Sequence, residues 1–427
     1  MQGDHSHLIE VILTHRRRIG ATMVCVGVAA IAFATLGPSS QSTDSSLWCL
    51  VCGTLGGVDV TLNVLLFVPL GFGLALTGVR PTRSLSAACL LSLSIEIAQM
   101  VIPGRDPTIS DLLANSVGGA LGFGIGWHLD LLLRPGAAVA AKLGFAWLAG
   151  WMLLQIGLAH IAVPAATDSR YYGQIKRALG FRPPWPGDVV AATLNGQAIP
   201  NTAFRNPESA FAAINSDTGA RIEIVIVPRG DVNVPTSIVR IADSSYDEIA
   251  VLAQDGSDFV FGIRTRGIDA RLRPAYFAMR NVFSTTTGAI EDTLRLHARH
   301  AGEAVLLGLT RGIERYEVRI PVTAGASWRR FMPGRVYADG SPGGAALNAV
   351  WFAVCLAPAL YWFVIAARGG LRPTHWIAVV AVISAGTAAP VLLGLSPPGA
   401  EELAGFLAAI SLAFLLGRTS AARLPNR

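Results

Sequence analysis

Two apolar stretches, DVTLNVLLFVPLGFGLAL at residues 59–76 and DLLANSVGGALGFGIGW at residues 111–127, begin with the same polar pattern. Each has an Asp at its start and an Asn four residues later: Asp59 and Asn63, then Asp111 and Asn115. Residues four apart lie on the same face of an α-helix, and a run of about 20 apolar residues can cross a membrane. We therefore predict two membrane helices that each carry polar side chains near one membrane boundary.

The composition of the whole chain also indicates a membrane protein. Of the 427 residues, 52% are hydrophobic and 15% are charged, whereas a soluble domain usually has about 25% charged residues. The mean hydropathy is +0.48. Apolar windows predict a polytopic α-helical membrane bundle of about eight transmembrane helices, at residues 19–37, 58–79, 84–102, 109–133, 138–163, 345–367, 374–395 and 401–418.

The positive residues of the short loops predict the topology of these helices. They fall in alternate loops, at Arg16–Arg18, Arg80, Arg83, Arg134, Lys142, Arg368, Arg372, Arg418 and Arg423, and the other short loops contain only Arg105. Because such residues mark the cytoplasmic side, we expect both termini to be cytoplasmic and residues 164–340 to be extracytoplasmic. A signal peptide cleaved after Ala34 is an alternative for the first helix. The net charge of +6 needs no nucleic-acid partner, because these loops carry most of it.

The predicted organisation has six segments. They are a cytoplasmic N-terminal tail (1–18), a four-helix membrane domain (19–135), a fifth transmembrane helix (136–163), an extracytoplasmic β-sandwich domain (164–340), three C-terminal transmembrane helices (341–418) and a cytoplasmic tail (419–427).

The segment 164–340 differs from the rest because its apolar residues alternate with polar ones. Alternating runs occur at 220–228, 237–243, 258–265, 293–299, 303–310 and 315–322. Period-two alternation broken by Gly, Asp and Pro is typical of antiparallel strands. We predict eight to ten strands, no helix, and an all-β antiparallel sandwich of two packed sheets.

Part of this segment, IVRIADSSYDEIAVLAQDGSDFVFGIRT at residues 238–265, resembles the central strands of concanavalin-like jelly rolls of the laminin-G type. The resemblance implies a lectin-like fold that binds glycans, in some members through calcium. Candidate calcium ligands are Asp243, Asp247, Asp255 and Asp258, for which solvated turn carboxylates are the alternative. Candidate glycan platforms are Trp185, Tyr246, Tyr276 and Trp328. A glycosidase is not expected, because the Glu-x-Asp-x-Glu strand of glucanases with this fold is missing.

Polar residues between the two opening stretches extend the pattern into a candidate site. Glu96 and Gln99 lie three apart near the end of the third predicted helix, and the loop PGRDPTIS adds Arg105 and Asp106. With the predicted topology, all of these side chains meet Asp59 and Asp111 at the same membrane boundary. Ionisable groups within membrane segments are costly and are therefore candidates for function. The alternative is structural, since an Asp stabilises a helix start and Asn can bridge helices.

The same residues carry a family resemblance. Asp59 and Asn63, FVPLGF at 67–72, Glu96 and Gln99, Arg105, Asp111 and Asn115, and the Gly-rich run 118–124 resemble the VanZ-like family over about residues 20–135. That family is named after an accessory protein of glycopeptide resistance, and its members are small multi-helix membrane proteins. The resemblance implies a protein of the bacterial cell envelope in the cytoplasmic (inner) membrane. It implies no particular reaction, and a resistance role is not carried over.

Three functions are compatible with this site. The first is binding of a membrane lipid, either an envelope glycolipid or a lipid-linked intermediate, with Arg105 on a phosphate and the sandwich binding its glycan or a partner. The second is an intramembrane hydrolase or transferase that acts on a lipid phosphate, with Glu96, Asp59 or Asp111 as general base or metal ligand. The third is a transporter or a proton relay that uses Glu96, which is the least supported because the polar groups occupy only one half of the bundle.

The cysteines and the remaining composition add little. Cys49 and Cys52 form a lone Cys-x-x-Cys that is compatible with a disulfide or with two free thiols. No metal site and no cofactor is predicted apart from the calcium alternative above, and the oligomeric state is left open.

Overall fold

The computed structural model describes most of the chain. The described residues are 14–38, 47–105, 107–165, 170–178, 183–214, 216, 219–230, 232–284, 293–332, 337–368 and 373–421. Asp106, most of the predicted N-terminal tail (1–18) and most of the predicted C-terminal tail (419–427) lie outside these residues.

Helices form both ends of the described chain, and one short helix lies between the strands. They are α1 (Arg16–Thr35), α2 (Gly56–Thr77), α3 (Pro81–Gln99), α4 (Ile109–Trp127), α5 (Leu129–Leu133), α6 (Ala137–Ala162), α7 (Pro207–Ile214), α8 (Pro342–Arg368), α9 (Pro373–Leu392) and α10 (Ala400–Ala421). One single-turn 3₁₀ segment occurs at Arg266–Ile268, and a longer one occurs at Gly325–Phe331.

The predicted number of about eight transmembrane helices is not supported. Helices lie at all eight predicted positions, but only α1, α2, α6 and α8 are long and apolar enough to cross a membrane among the described residues. α3 falls short because it contains four serines together with Arg83 and Glu96, and α4 because its first half carries Ser, Asp and Asn. In α9 the apolar stretch found among the described residues is Val379–Leu392.

The first four helices pack through glycines. A Cβ atom added to Gly122 of α4 would lie 1.9 Å from the Val68 carbonyl oxygen of α2, and one added to Gly118 would lie 2.2 Å from the Val64 carbonyl oxygen. The same close approach brings Gly119 of α4 to within contact of Ala88 on α3. Small residues allow helix backbones to approach and to gain dispersion energy in an apolar environment. The Gly-rich run 118–124 therefore holds α4 against both α2 and α3.

The remaining long helices, α6, α8, α9 and α10, form a second helical group. Its core contains Leu148 and Trp151 of α6 against Phe352, Leu356 and Phe363 of α8. The rings of Trp151 and Phe352 meet edge to face with centroids 5.9 Å apart, a geometry that the ring quadrupoles favour.

Between the two helical groups, eleven strands form two antiparallel sheets. The strands are β1 (Tyr172–Ile175), β2 (Asp188–Leu194), β3 (Gln197–Ala198), β4 (Arg221–Val227), β5 (Thr236–Ala242), β6 (Glu248–Asp255), β7 (Asp258–Ile263), β8 (Ala275–Met279), β9 (Leu294–Ala301), β10 (Ala304–Arg311) and β11 (Glu314–Pro321). Their orders are β1-β5-β6-β7-β8 and β11-β10-β9-β4-β2-β3. The prediction of antiparallel sheets is confirmed. The expectation of eight to ten strands without a helix is wrong, because the short strands β1 and β3 bring the number to eleven and helix α7 lies between β3 and β4.

The two sheets enclose one core, and this core changes the interpretation of the predicted aromatic platforms. Ile224, Ile226, Leu296 and Leu307 of one sheet are buried with Ile241 and other apolar residues of the second sheet. Trp185 is 1% exposed and its Nε1 donates to Gln254 Oε1 over 2.7 Å. Trp328 is also buried. Neither tryptophan is available as a surface for sugars, whereas Tyr246 is exposed.

The loop between β7 and β8 joins the sandwich to the first helical group. Arg271 donates hydrogen bonds from its guanidinium to the carbonyl oxygens of Val51 and Gly53, and its own carbonyl oxygen accepts from Gly57 N at 3.2 Å. A Cβ atom at Gly57 would lie 2.0 Å from the Ala270 carbonyl oxygen. The N-terminal end of α2 is therefore pressed directly against this loop of the sandwich.

Candidate functional site

The starts of α2 and α4 bring the first two pairs of predicted residues together. Asp59 lies in the first turn of α2, and Asp111 lies in the first turn of α4. Thr108 caps α4, since its Oγ1 accepts a hydrogen bond from Asp111 N at 3.2 Å. The Asn63 amide donates to Asp111 Oδ1 over 2.5 Å. The repeated Asp-x-x-x-Asn pattern therefore forms a direct contact between the two helices.

Glu96 and Gln99 lie at the C-terminal end of α3 and turn toward different neighbours. Glu96 is 7% exposed, and its Oε2 accepts a hydrogen bond from Thr108 N at 2.9 Å. Gln99 donates from Nε2 to the carbonyl oxygen of Thr35 at 3.0 Å. The last carbonyl groups of a helix have no partner within that helix. Gln99 thus completes the end of α1, while Glu96 holds the start of α4.

Arg105, like Gln99, donates a hydrogen bond to the C-terminal end of α1. Its Nη2 donates to the Ala34 carbonyl oxygen at 3.0 Å, and its Nε donates to the Gly37 carbonyl oxygen at 2.9 Å. A positive side chain is favourable at a helix C-terminus. Within the described residues Arg105 forms no ion pair with Glu96 or Asp111, so neutralisation of one of these acids is not its role in this structure.

Asn115 is the most deeply buried of the predicted site residues that the structure describes. It is 2% exposed, and its Nδ2 donates to Ser92 Oγ of α3 at 2.9 Å. Its Oδ1 has no hydrogen-bond partner among the described residues. Burial of such an atom costs free energy unless a partner is supplied, and the cleft is where a partner can reach it.

The structure adds Arg273, which the sequence did not single out. This residue lies in the loop before β8, where its Nε donates to the Met332 carbonyl oxygen at 2.7 Å. It lines the same cleft as the helix residues and interacts electrostatically with Asp59. The sequence around Arg273 does not indicate this role, because the contact depends on how the sandwich packs on α2.

These groups line one cleft of about 780 Å³ at the junction of the helices and the sandwich. The predicted residues that line it are Asp59, Asn63, Glu96, Gln99, Arg105, Asp111 and Asn115. The remaining predicted residue, Asp106, lies outside the described residues. Three carboxylates, three amides and the guanidinium groups of Arg105 and Arg273 therefore share a cavity of the size that holds small ligands.

The loop before α2 forms another wall of the cleft. Cys49 and Cys52 are joined by a disulfide, and Cys52 lines the cleft. Ser110 of α4 donates from Oγ to the Leu50 carbonyl oxygen at 2.7 Å. The disulfide thus closes a loop that is also fixed to the start of α4.

The described residues contain no group of three His, Cys, Asp or Glu residues that could hold a metal ion. The candidate calcium ligands of the sandwich have other partners. Asp243 accepts hydrogen bonds from Ser245 N and Asp247 N and pairs with Arg264 at 3.2 Å. Asp255 accepts from the Tyr337 hydroxyl group. Asp258 pairs with the guanidinium of Arg280 at 2.5 Å.

Comparison with known proteins bears on the helical part of the cleft. No curated protein and no solved structure matches the chain. The laminin-G resemblance of the sandwich is not confirmed beyond its two antiparallel sheets. The VanZ-like resemblance is confirmed for the N-terminal helices: residues 15–132 match the model of the VanZ/LLP1 family, and this match includes every cleft residue that the sequence predicted.

Proposed function

We propose that the protein is a VanZ-like membrane protein of the bacterial cell envelope that binds the head group of an envelope glycolipid or a lipid-linked intermediate. The observation that carries this proposal is the shared cleft, in which polar residues of α2, α3 and α4 meet Arg273 of the sandwich. The cleft lies where helices of membrane-spanning length end and a polar domain begins. A lipid is likewise divided along its length into apolar chains and a polar head group.

The chemistry of the cleft suits a head group with both a phosphate and hydroxyl groups. Arginine binds phosphate through the planar fork of its guanidinium, and Arg105 and Arg273 present two such groups to the cleft. Carboxylates accept hydrogen bonds from sugar hydroxyls. Asp59 is exposed and makes no hydrogen bond through its carboxylate to any other described residue, so it is available to do so. Three acids beside two arginines favour a phosphosugar over inorganic phosphate, because the sugar hydroxyls can donate hydrogen bonds to the acids.

The proposal includes an orientation for the protein. The arginines of the short loops favour cytoplasmic termini in the inner membrane, with the sandwich on the extracytoplasmic side. In that arrangement the cleft faces the outer leaflet, and the sandwich binds the glycan of the lipid or a second envelope component. Labelling of single cysteines at residue 205 of the sandwich and residue 83 of the α2–α3 loop by a membrane-impermeant reagent tests this. Labelling at residue 83 in intact cells would overturn the orientation.

The test of lipid binding is mass spectrometry of the lipids that co-purify with the protein. We expect the wild type to retain a phosphate-bearing lipid that Arg105→Ala and Glu96→Ala lose. The matched control is Arg83→Ala, because Arg83 is exposed at the opposite end of α3 from Glu96. Equal amounts of the same bulk phospholipids in the wild type and in all three variants would refute the proposal.

A second candidate is the hydrolysis or transfer of a lipid phosphate. The observation in its favour is that carboxylates of three different helices, Asp59, Glu96 and Asp111, line the cleft that would hold the phosphate. Glu96 or Asp59 would act as general base toward water or an acceptor hydroxyl. Release of phosphate from a lipid pyrophosphate by the purified protein, abolished by Glu96→Gln, would establish this reaction. Unchanged turnover in Glu96→Gln and Asp59→Asn would exclude it.

A further inference from the structure

A second polar groove lies on the sandwich, on the solvent-exposed face of β4, β9, β10 and β11. The register of these strands places Glu223, His297, Gly308 and Glu317 in one row across the sheet. The next row contains Arg295, Thr310 and Arg315. β4, β9 and β10 each have a paired strand on both sides, and β11 is the edge strand. On the face of the sheet, side chains are therefore the groups that can bind a ligand.

Gly308 leaves room on this face for the side chain of His297. A Cβ atom at this position would lie 2.0 Å from Cε1 of His297, so the imidazole ring occupies the space above the glycine. The His297 Nε2 atom is 3.4 Å from Glu317 Oε2 on the far side. The groove around these residues has a volume of about 720 Å³, which is within the range of ligand sites.

The groove carries an excess of positive charge. Its lining contains Arg221, Arg295 and Arg315 against two acids, Glu223 and Glu317. Arg221 and Arg295 are both 3.3 Å from Glu223. The Arg315 guanidinium forms no ion pair or hydrogen bond with any residue that the structure describes. Three arginines therefore face two glutamates in the groove, which leaves an excess of positive charge for an anionic ligand.

The groove lies toward the end of the sheet that is far from the helical groups, which argues against the membrane surface as its ligand. The turn between β9 and β10 contacts the loop that joins α9 to α10, since Ser396 Oγ donates to the Glu303 carbonyl oxygen at 2.6 Å. The groove lies toward the opposite end, beside Gly312, and the neighbouring Ile313 is 100% exposed. Along the eight residues of β10, a rise of about 3.4 Å per residue separates the two ends by about 24 Å.

We infer that this groove binds a carboxylate-bearing oligosaccharide. Arg295 and Arg315 supply paired donors that match carboxylates. The Thr310 hydroxyl and the carboxylates of Glu223 and Glu317 accept hydrogen bonds from sugar hydroxyls, which a peptide of acidic residues does not offer. The inference rests on the glycan-binding role proposed for the sandwich, but it does not depend on lipid binding in the cleft.

The experiment uses the full chain in phosphatidylcholine nanodiscs, titrated by calorimetry with oligogalacturonate and, separately, with neutral maltohexaose. We expect oligogalacturonate to bind and maltohexaose not to bind. The double variant Arg295→Ala/Arg315→Ala should weaken oligogalacturonate binding at least about tenfold, as the loss of charge-assisted hydrogen bonds implies. The control is Arg205→Ala, because Arg205 is exposed on the sandwich but does not line the groove.

Three results would overturn the inference: no binding of oligogalacturonate, an unchanged Kd in the double variant, or equally tight binding of poly-glutamate. Lipids retained in the same nanodisc preparations are measured in parallel. Loss of oligosaccharide binding with normal lipid retention in the double variant supports the inference. If the wild-type protein retains lipid but does not bind oligogalacturonate, the inference about the groove is refuted and the proposal of lipid binding in the cleft is not affected.

Discussion

The Asn63 amide donates a hydrogen bond to the Asp111 carboxylate over 2.5 Å, and this bond joins α2 to α4 at the cleft. The donor belongs to the first Asp-x-x-x-Asn copy and the acceptor to the second. The backbone N–H of Asp111 also donates to Thr108 Oγ1, the cap of α4. The repeated pattern is therefore one connected site, in which a change at either copy is expected to affect the other.

Replacement of Asn63 tests this connection. Asn63→Ala removes the donor and leaves the partly buried Asp111 carboxylate without it, which should lower stability by about 1–3 kcal/mol. Asn63→Asp should cost more, because it places a second carboxylate against Asp111. Thermal unfolding of the full chain in detergent measures both. If Asn63→Asp is as stable as the wild type, the bond does not join the helices in the way described.

The glycine contacts between α2 and α4 give a second prediction. Gly122→Ala puts a methyl group 1.9 Å from the Val68 carbonyl oxygen, and a backbone atom cannot rotate away. The helices must separate, so we expect a loss of about 1–3 kcal/mol, as for other overpacked sites. Gly124→Ala is the matched control, since nothing lies within 4 Å of its added Cβ atom. Equal melting temperatures for the two variants would contradict the packing.

Local spacing explains why the helical part of the cleft could be predicted. Asp59 and Asn63, like Asp111 and Asn115, are fixed relative to each other by the helix period alone. Glu96 and Gln99 share the end of one helix for the same reason. These short-range relations do not require knowledge of the rest of the fold, and the structure brings all of these residues to one cleft.

Features that depend on tertiary contacts could not be predicted in this way. Arg273 joins the cleft only because the loop before β8 rests on Gly57 and the start of α2. Trp185 and Trp328 were proposed as sugar platforms from their residue type, but the two-sheet core and the sandwich–helix junction bury them. The predicted number of about eight transmembrane helices is not supported by the described residues, because polar residues lower the hydropathy of α3 and α4.

Burial of His300 predicts a pH dependence for the stability of the sandwich. Desolvation, with a smaller effect of the positive Arg330, lowers the pKa of His300 from 6.5 to about 4. The unfolded chain therefore binds the proton first, so stability should fall as the pH is lowered from about 6.5 toward 4, by up to about 3 kcal/mol. Well above pH 6.5 the residue is neutral in both states and contributes no slope.

The comparison with His300→Leu isolates this effect from the acids that titrate nearby. Unfolding of both proteins, followed by tryptophan fluorescence at several pH values, should give curves that differ in slope between pH 4 and 6.5 and run parallel at pH 8. Parallel curves over the whole pH range would show that titration of His300 does not cause the pH dependence of stability.

Arg273 provides the last prediction, because it is the cleft residue that the sandwich supplies. Arg273→Ala removes a guanidinium beside Asp59, and we expect it to reduce the amount of phosphate-bearing lipid that co-purifies by at least about fivefold, equivalent to the loss of one charge-assisted hydrogen bond. Arg266→Ala is the matched control: Arg266 lies in the same loop, but its Nη1 is 3.4 Å from His160 Nδ1 at the end of α6, outside the cleft. Lipid mass spectrometry and melting temperature are measured on each variant. Equal lipid loss in both, or a loss in Arg273→Ala that only follows a lower melting temperature, would show that the loop supports the fold and that Arg273 does not bind the lipid.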